Sequence, residues 1–305
     1  MRLPVSPSGP GACRLPDRGR IGNRVAHPSV GRSAGQGDAW APTTLNVNAP
    51  LSFTSPKGVR KTACLGSAPI SRRATLRAQW NILCDFDGTV SLQDVTDSLL
   101  EHLGRPGWQE LEDDWVAGRI GARECMSKQV ALLDGDVDAL HRVLDAVRID
   151  PAFVRFVALA ERLGIPLSIV SDGLDYGIAR ILARHGLHHL PIIANRLLRT
   201  DAGEWRMASP HARPDCPSGT CKCAVMAQQP PERATLLIGD GRSDFCLAGK
   251  ADLVFAKDGL LRHCRANGIA HCAITGFDDA IALLPDLAVP ATTTVSFPLP
   301  VTQRA

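Results

Sequence analysis

The sequence contains no apolar run long enough to cross a bilayer, which takes about 20 residues in a helix. Its early residues also lack the apolar stretch of a secretory signal. These absences argue against a membrane span and against export, and a cytoplasmic location is expected. Without an export signal, the ten cysteines favour thiols or metal ligands over disulfides. Positive charge is scarce over most of the chain. The formal net charge is +3, yet residues 1–79 carry twelve Lys/Arg against two acids, Asp17 and Asp38, while residues 80–305 carry 22 against 29. An acidic body offers no footprint for nucleic acid, which needs basic side chains against its phosphates. The basic arm lacks the interleaved aromatics of a single-strand binder. No internal repeat is present.

Residues 1–78 are rich in Pro, Gly, Ser and Arg and show no sustained apolar periodicity. Such a segment buries too little apolar surface to offset its ordering entropy, so disorder is expected. A start site assigned too far upstream is the favoured explanation for it. A basic tail is a second reading, and an organelle transit peptide a third. The Arg-rich, acid-poor composition suits that last reading, but the many prolines and glycines oppose its amphipathic helix.

The folded part is expected to begin near Gln79, with a strand from Trp80 to Cys84. Residues 93 to about 148 read as four helices, from stripes such as Val95, Leu99 and Leu103 or Leu140, Val143, Leu144 and Val147. Asp150-Pro151 reads as a helix start, with Asp as N-cap and Pro at the first helical position. Apolar runs at 165–170, 191–195, 236–238 and 253–256 read as strands. Strands alternating with helices imply an α/β fold with a parallel, Rossmann-like sheet. The expected division is 1–78 as extension, 79–92 and 165–285 as core, 93–164 as a helical insert, and 286–305 as a flexible tail.

Three of these strands run into polar turns: Asp85-Phe86-Asp87-Gly88-Thr89, Ser171-Asp172-Gly173, and Gly239-Asp240-Gly241 with Asp244. In open α/β sheets, ligands bind at the carboxyl ends of the strands, so all three turns can meet at one edge. Asp85 and Asp87 stand two residues apart and project to the same side of an extended segment. Paired carboxylates suit metal binding, nucleophilic attack and proton transfer. A strand ending in an ordinary polar turn is the alternative for any one of the three.

Together with Lys222, these turns resemble, in order, the four motifs of the haloacid dehalogenase superfamily of phosphatases. The helical insert resembles that superfamily's C1 cap, as in phosphoserine phosphatase. The resemblance covers residues 80 to about 275. Within the superfamily, Trp108, Trp115, Gly118 and Glu124 and the Cys-rich stretch before Lys222 are similar to the phosphatase of methionine salvage. That enzyme type acts on 2-hydroxy-3-keto-5-methylthiopentenyl 1-phosphate.

The resemblance implies hydrolysis of a small phosphorylated metabolite through an aspartyl-phosphate. It implies Asp85 as nucleophile and Asp87 as acid and base. Mg²⁺ would be held by Asp85, the Asp87 carbonyl and Asp240, with Asp244 behind them orienting waters or Lys222. Ser171 and the backbone at Gly88 and Gly173 would bind phosphate beside Thr89, and Lys222 would neutralise the phosphoryl charge. Asp172 adds negative charge near the site, pointing either away or towards a polar part of the substrate. Asp94, nine residues after Asp85, would contact substrate or cap the first helix; His102 and Arg119 are further candidates on the insert. For Cys216, Cys221 and Cys223, three readings stand: structural Zn²⁺ with His211 as fourth ligand, a disulfide stapling the loop before Lys222, or free thiols. Phosphoryl transfer as in a phosphomutase, and a non-catalytic module on the same scaffold, are the alternatives to hydrolysis; intact Asp85, Asp87, Lys222 and Asp240 oppose the latter. Removing residues 1–78 is expected to leave activity and melting temperature nearly unchanged, and a large loss in either would mean that the segment packs on the body.

Overall fold

The structure is a computed structural model, and it describes residues 79–288. The expectations for residues 1–78 and for 289–305 lie outside the described residues. Seven strands form one sheet: β1 (Gln79–Cys84), β2 (Leu167–Leu174), β3 (Ile192–Arg199), β4 (Trp205–Ala208), β5 (Arg233–Gly239), β6 (Leu253–Ala256) and β7 (His271–Ala273). Their order is β4-β3-β2-β1-β5-β6-β7, parallel throughout except for the antiparallel edge pair β3–β4. The chain therefore builds outwards from β1 on one side, then returns to lay β5 against its other side. That reversal is a topological switch point, where the loops leaving β1 and β5 diverge and open a crevice.

Alternation along the central strands explains why the sheet is covered on both faces. Ile82 and Cys84 of β1, with Leu236 and Ile238 of β5, enter one apolar cluster, while Leu83 and Leu237 between them enter a second on the opposite face. Four helices intervene between β1 and β2: α1 (Val95–Leu103), α2 (Trp108–Val116), α3 (Ala122–Val130) and α4 (Val137–Ala146). Then comes α5 (Phe153–Arg162), the crossover helix into β2. The remaining helices are α6 (Asp175–Arg184), α7 (Lys222–Ala227), α8 (Phe245–Ala248), α9 (Asp258–Asn267), α10 (Phe277–Leu283) and α11 (Pro285–Ala288).

Several local expectations need correction. Asp150 is not the N-cap of α5: that position is Ala152, and the helix begins at Phe153. Asp150 Oδ1 accepts from Ala152 N–H at 2.8 Å and its Oδ2 from Phe277 N–H at 3.0 Å, so one carboxylate serves two helix starts. β2 does not stop at Ser171 but continues to Leu174 through a shift in its pairing with β3. The sheet gains β4 and β7, strands of four and three residues that are too short to carry a periodic signal. The tail expected from residue 286 starts instead with the helical turn α11. Helix α5 packs on α10 through Phe153 and Phe156, whose rings lie 4.7 and 5.1 Å from that of Phe277. Phe277→Ala is expected to cost about 3–5 kcal/mol of stability by emptying this contact, read as a lower urea midpoint at unchanged slope.

Candidate active site

The ends of β1 and β5 bring the acids together. Asp85 follows β1 directly, and its N–H donates to the carbonyl of Ile238 in β5 at 2.9 Å. Lys222 is the first residue of α7, and its ammonium lies 2.8 Å from Asp85 Oδ1 and 2.6 Å from Asp244 Oδ1. All three side chains are buried, at 1, 6 and 0% exposure for Lys222, Asp85 and Asp244. Phe86 N–H also donates to Asp85 Oδ1 at 2.8 Å, and Ser243 Oγ lies 3.4 Å from Asp85 Oδ2.

Burial and mutual repulsion set the protonation of these groups. Burial, then the charge of Asp85, pushes Asp244 up to about 7 and Asp240 up to about 6. Burial works to lower Lys222, but the carboxylates of Asp244 and Asp85 outweigh it and hold the ammonium above its usual range. Asp87 is raised well above an ordinary carboxylate by burial and then by Asp94, against hydrogen bonds from Val95 N–H at 2.9 Å and Ser171 Oγ at 3.2 Å.

Oxygens of Asp85, Asp240 and Asp244 lie within 4.8 Å of one another, the one such cluster of three or more acids, histidines or cysteines among the described residues. Ionised, they would set three negative charges against the single Lys222 ammonium, a remainder that one divalent cation would balance. An all-oxygen donor set suits a hard cation such as Mg²⁺. Thr89 Oγ1 donates to Asp240 Oδ1 at 2.9 Å and so orients the carboxylate rather than standing free for substrate. Gly88 has φ of 69°, and a Cβ there would come within 2.7 Å of Asp240 Oδ2. A Cβ on Gly173 would likewise collide with Asp87 Oδ2.

Other residues singled out in the sequence take different positions. Gly173 N–H donates to Ser171 Oγ at 2.9 Å, and that hydroxyl in turn donates to Asp87 Oδ2 at 3.2 Å. Asp172 faces the loop before α7: its Oδ1 accepts from Thr220 N–H at 2.8 Å and lies 3.3 Å from Asn195 Nδ2. It fastens the segment that delivers Lys222. Asp94 is the N-cap of α1, accepting from Asp97 N–H at 2.9 Å, and it also lines the cavity described below; burial and Asp97 raise it to about 6. His102 is bonded to the carbonyl of Ser98, and Arg119 is tied to Asp114 on the exposed surface; neither lines that cavity. Cys216, Cys221 and Cys223 carry no disulfide, and they form no cluster with His211 that could hold a metal. The zinc and disulfide readings are therefore set aside.

A cavity of about 510 Å³ opens over the acids. Its floor includes Asp85, Asp87, Ser171 and Asp240, and its far wall includes Asp94, Asp97, Glu112, Trp115, Ile120 and Met126 from the helical segment. The stripe of Trp108, Leu111 and Trp115 reads from sequence as core of the insert, and Trp115 departs from that reading because a helical stripe carries no sign of which neighbour it faces. Arg242 is the only cationic residue in the lining, and its guanidinium rests over the Trp115 ring at 5.5 Å.

The family model of haloacid dehalogenase-like hydrolases matches residues 82–249. The chain therefore belongs to the haloacid dehalogenase-like hydrolase family. The 2-hydroxy-3-keto-5-methylthiopentenyl-1-phosphate phosphatase of Geobacillus kaustophilus (strain HTA426) is 32% identical over 217 residues, 68% of this chain and 96% of the relative. The enzyme of the same name from Geobacillus thermodenitrificans (strain NG80-2) is 31% identical over 220 residues, 70% of this chain and 99% of the relative. With these relatives the chain shares the phosphatase branch of the family. A substrate-bound phosphoserine phosphatase superposes with a TM-score of 0.51 at 18% identity, covering 68% of this chain and 98% of that one; at that identity the likeness concerns the fold. No helix among the described residues is long and apolar enough to cross a membrane.

Asp172→Ala is expected to leave Thr220 N–H without its acceptor and to cost about 1–3 kcal/mol. Asp172→Asn, which keeps the acceptor oxygen, is expected to recover most of the loss in urea unfolding.

Proposed function

We propose that this protein is a Mg²⁺-dependent phosphatase that hydrolyses a small phosphorylated metabolite through an aspartyl-phosphate on Asp85. The observation that carries this reading is the buried Lys222 ammonium, 2.8 Å from Asp85 on the floor of an acidic cavity and 2.6 Å from Asp244. A fully buried lysine paired in this way holds the Asp85 carboxylate in position. Asp85, the Asp87 carbonyl and Asp240 would hold Mg²⁺, whose positive charge lets the anionic nucleophile approach an anionic phosphate.

In the reaction, the Asp85 carboxylate attacks phosphorus. Asp87, fixed between Val95 N–H and the Ser171 hydroxyl, gives a proton to the leaving oxygen and then takes one from the water that hydrolyses the intermediate. Ser171 rotates from Asp87 to donate to a phosphate oxygen, and Lys222 stabilises charge on the transferring group. Asp244 keeps Lys222 in place. Helices α1–α4 serve as a cap that closes the cavity against water.

The far wall of the cavity supports a substrate of the methionine-salvage type. It offers three acids, Asp94, Asp97 and Glu112, beside the apolar Trp115, Ile120 and Met126. A carboxylate at that end of a substrate, as on phosphoserine, meets no cation except Arg242, which is already engaged by Trp115. An uncharged hydroxylated chain ending in a thioether meets hydrogen-bond acceptors first and apolar, polarisable surface after them. The relatives' named substrate, 2-hydroxy-3-keto-5-methylthiopentenyl 1-phosphate, has that form.

Asp85→Asn is expected to lower phosphate release from p-nitrophenyl phosphate by at least about 1,000-fold while the protein stays folded. Chelation with EDTA is expected to abolish release, and added Mg²⁺ to restore it. In a panel of phosphometabolites, kcat/KM for the methylthio compound should exceed that for phosphoserine. A preference for phosphoserine would overturn the substrate reading and leave the hydrolase reading standing. Absence of release from every compound would overturn both.

A further inference from the structure

Two cysteines outside the reaction lie against each other beside the lysine. Cys223 is the second residue of α7, next to Lys222, and Cys246 is the second residue of α8, two beyond Asp244. Their sulfurs are 3.5 Å apart. Cys223 is half-buried and Cys246 exposed, and both are free thiols. A disulfide requires about 2.05 Å, so the sulfurs need to close by about 1.5 Å. The Lys250 ammonium interacts with the Cys223 sulfur, which places a cation beside that thiol.

We infer that Cys223 and Cys246 form an oxidisable dithiol site that takes a hydroperoxide, and that joining them displaces Lys222 and lowers the hydrolytic activity. The Cys223 sulfur attacks one peroxide oxygen; the O–O bond breaks, and with hydrogen peroxide the other oxygen leaves as water. Cys223 is then a sulfenic acid. The Cys246 sulfur attacks that sulfur, the S–S bond forms, the S–O bond breaks, and a second water leaves. Two thiols lose two electrons, and one peroxide gains them. The consequence for the site follows from packing. The linkage draws together the first turns of α7 and α8, which carry Lys222 and flank Asp244. Lys222 is enclosed, with 1% of its side chain exposed, so the shift has no free space to dissipate into. A displacement of about 1 Å at a catalytic group can cost about 100-fold in rate.

The activity part of this inference rests on the phosphatase reading, whereas the cross-link does not. Full-length reduced protein is treated with hydrogen peroxide, alkylated, and mapped by peptide mass spectrometry, with p-nitrophenyl phosphate hydrolysis followed in parallel. The expected result is a Cys223–Cys246 linked peptide and at least a tenfold loss of activity, reversed by dithiothreitol. Cys223→Ser and Cys246→Ser are expected to hydrolyse as fast as wild type before treatment and to keep that activity after it. Absence of the link overturns the inference. So does a link joining other cysteines instead, such as Cys216 with Cys221, or a Cys223–Cys246 link that leaves activity within twofold. Lack of hydrolysis in the untreated protein counts against the phosphatase reading, while the peptide map still decides the dithiol site.

Discussion

A lysine ammonium enclosed between two carboxylates is the constraint around which this structure is arranged. Lys222, Asp85 and Asp244 have almost no contact with solvent. Removing the lysine would leave two uncompensated buried carboxylates, and breaking a buried ion pair by deleting one partner costs about 3–5 kcal/mol in folded proteins. The three residues are far apart in sequence, on the ends of three different elements. They meet only because β5 lies against β1 while the loop before α7 reaches back across β2. The sheet order is thus the means by which a charge cluster that no local segment could hold becomes stable.

Around the cluster, small residues and hydrogen bonds set how closely the acids approach. Gly88 leaves room for Asp240, and Thr89 turns that carboxylate with its hydroxyl. Gly173 leaves room for Asp87, and Ser171 bonds it. Burial, and after it repulsion from Asp85, raises the carboxyl groups of Asp240 and Asp244. A bound divalent cation reverses that repulsion and turns the same crowding into a binding energy. A cation held there would relieve the crowding of like charge.

Much of this was legible from residue order, and the reasons are physical. Asp85, Asp87 and Asp240 were readable because each follows an apolar run that ends at a carboxylate, and a buried parallel strand leaves such a mark. Ser171 was singled out on the same grounds and lines the cavity; that β2 continues past it went unread, because the shift in its pairing leaves no composition signal. Lys222 carried no such mark; its place in the order of motifs, not its surroundings, singled it out. Asp172 was the ambiguous case, since a carboxylate beside a catalytic turn looks the same whether it faces substrate or Thr220. The strands β4 and β7 went unread because three or four residues cannot show a period. Trp115 was assigned to the core because only the docking of the helices decides which side of α2 faces the cavity.

The helical segment touches the loop before Lys222 through main-chain atoms. Arg123 N–H, in the first turn of α3, donates to the carbonyl of Pro217 at 2.9 Å, five residues before Lys222. Any amino acid except proline at position 123 can make that bond. Side chains on the cavity-facing side of α2 and α3 are thus free to be exchanged without loosening the anchor. Over evolutionary time, such a join lets a lineage trade one metabolite for another by point substitution, while the machinery beneath is inherited unaltered.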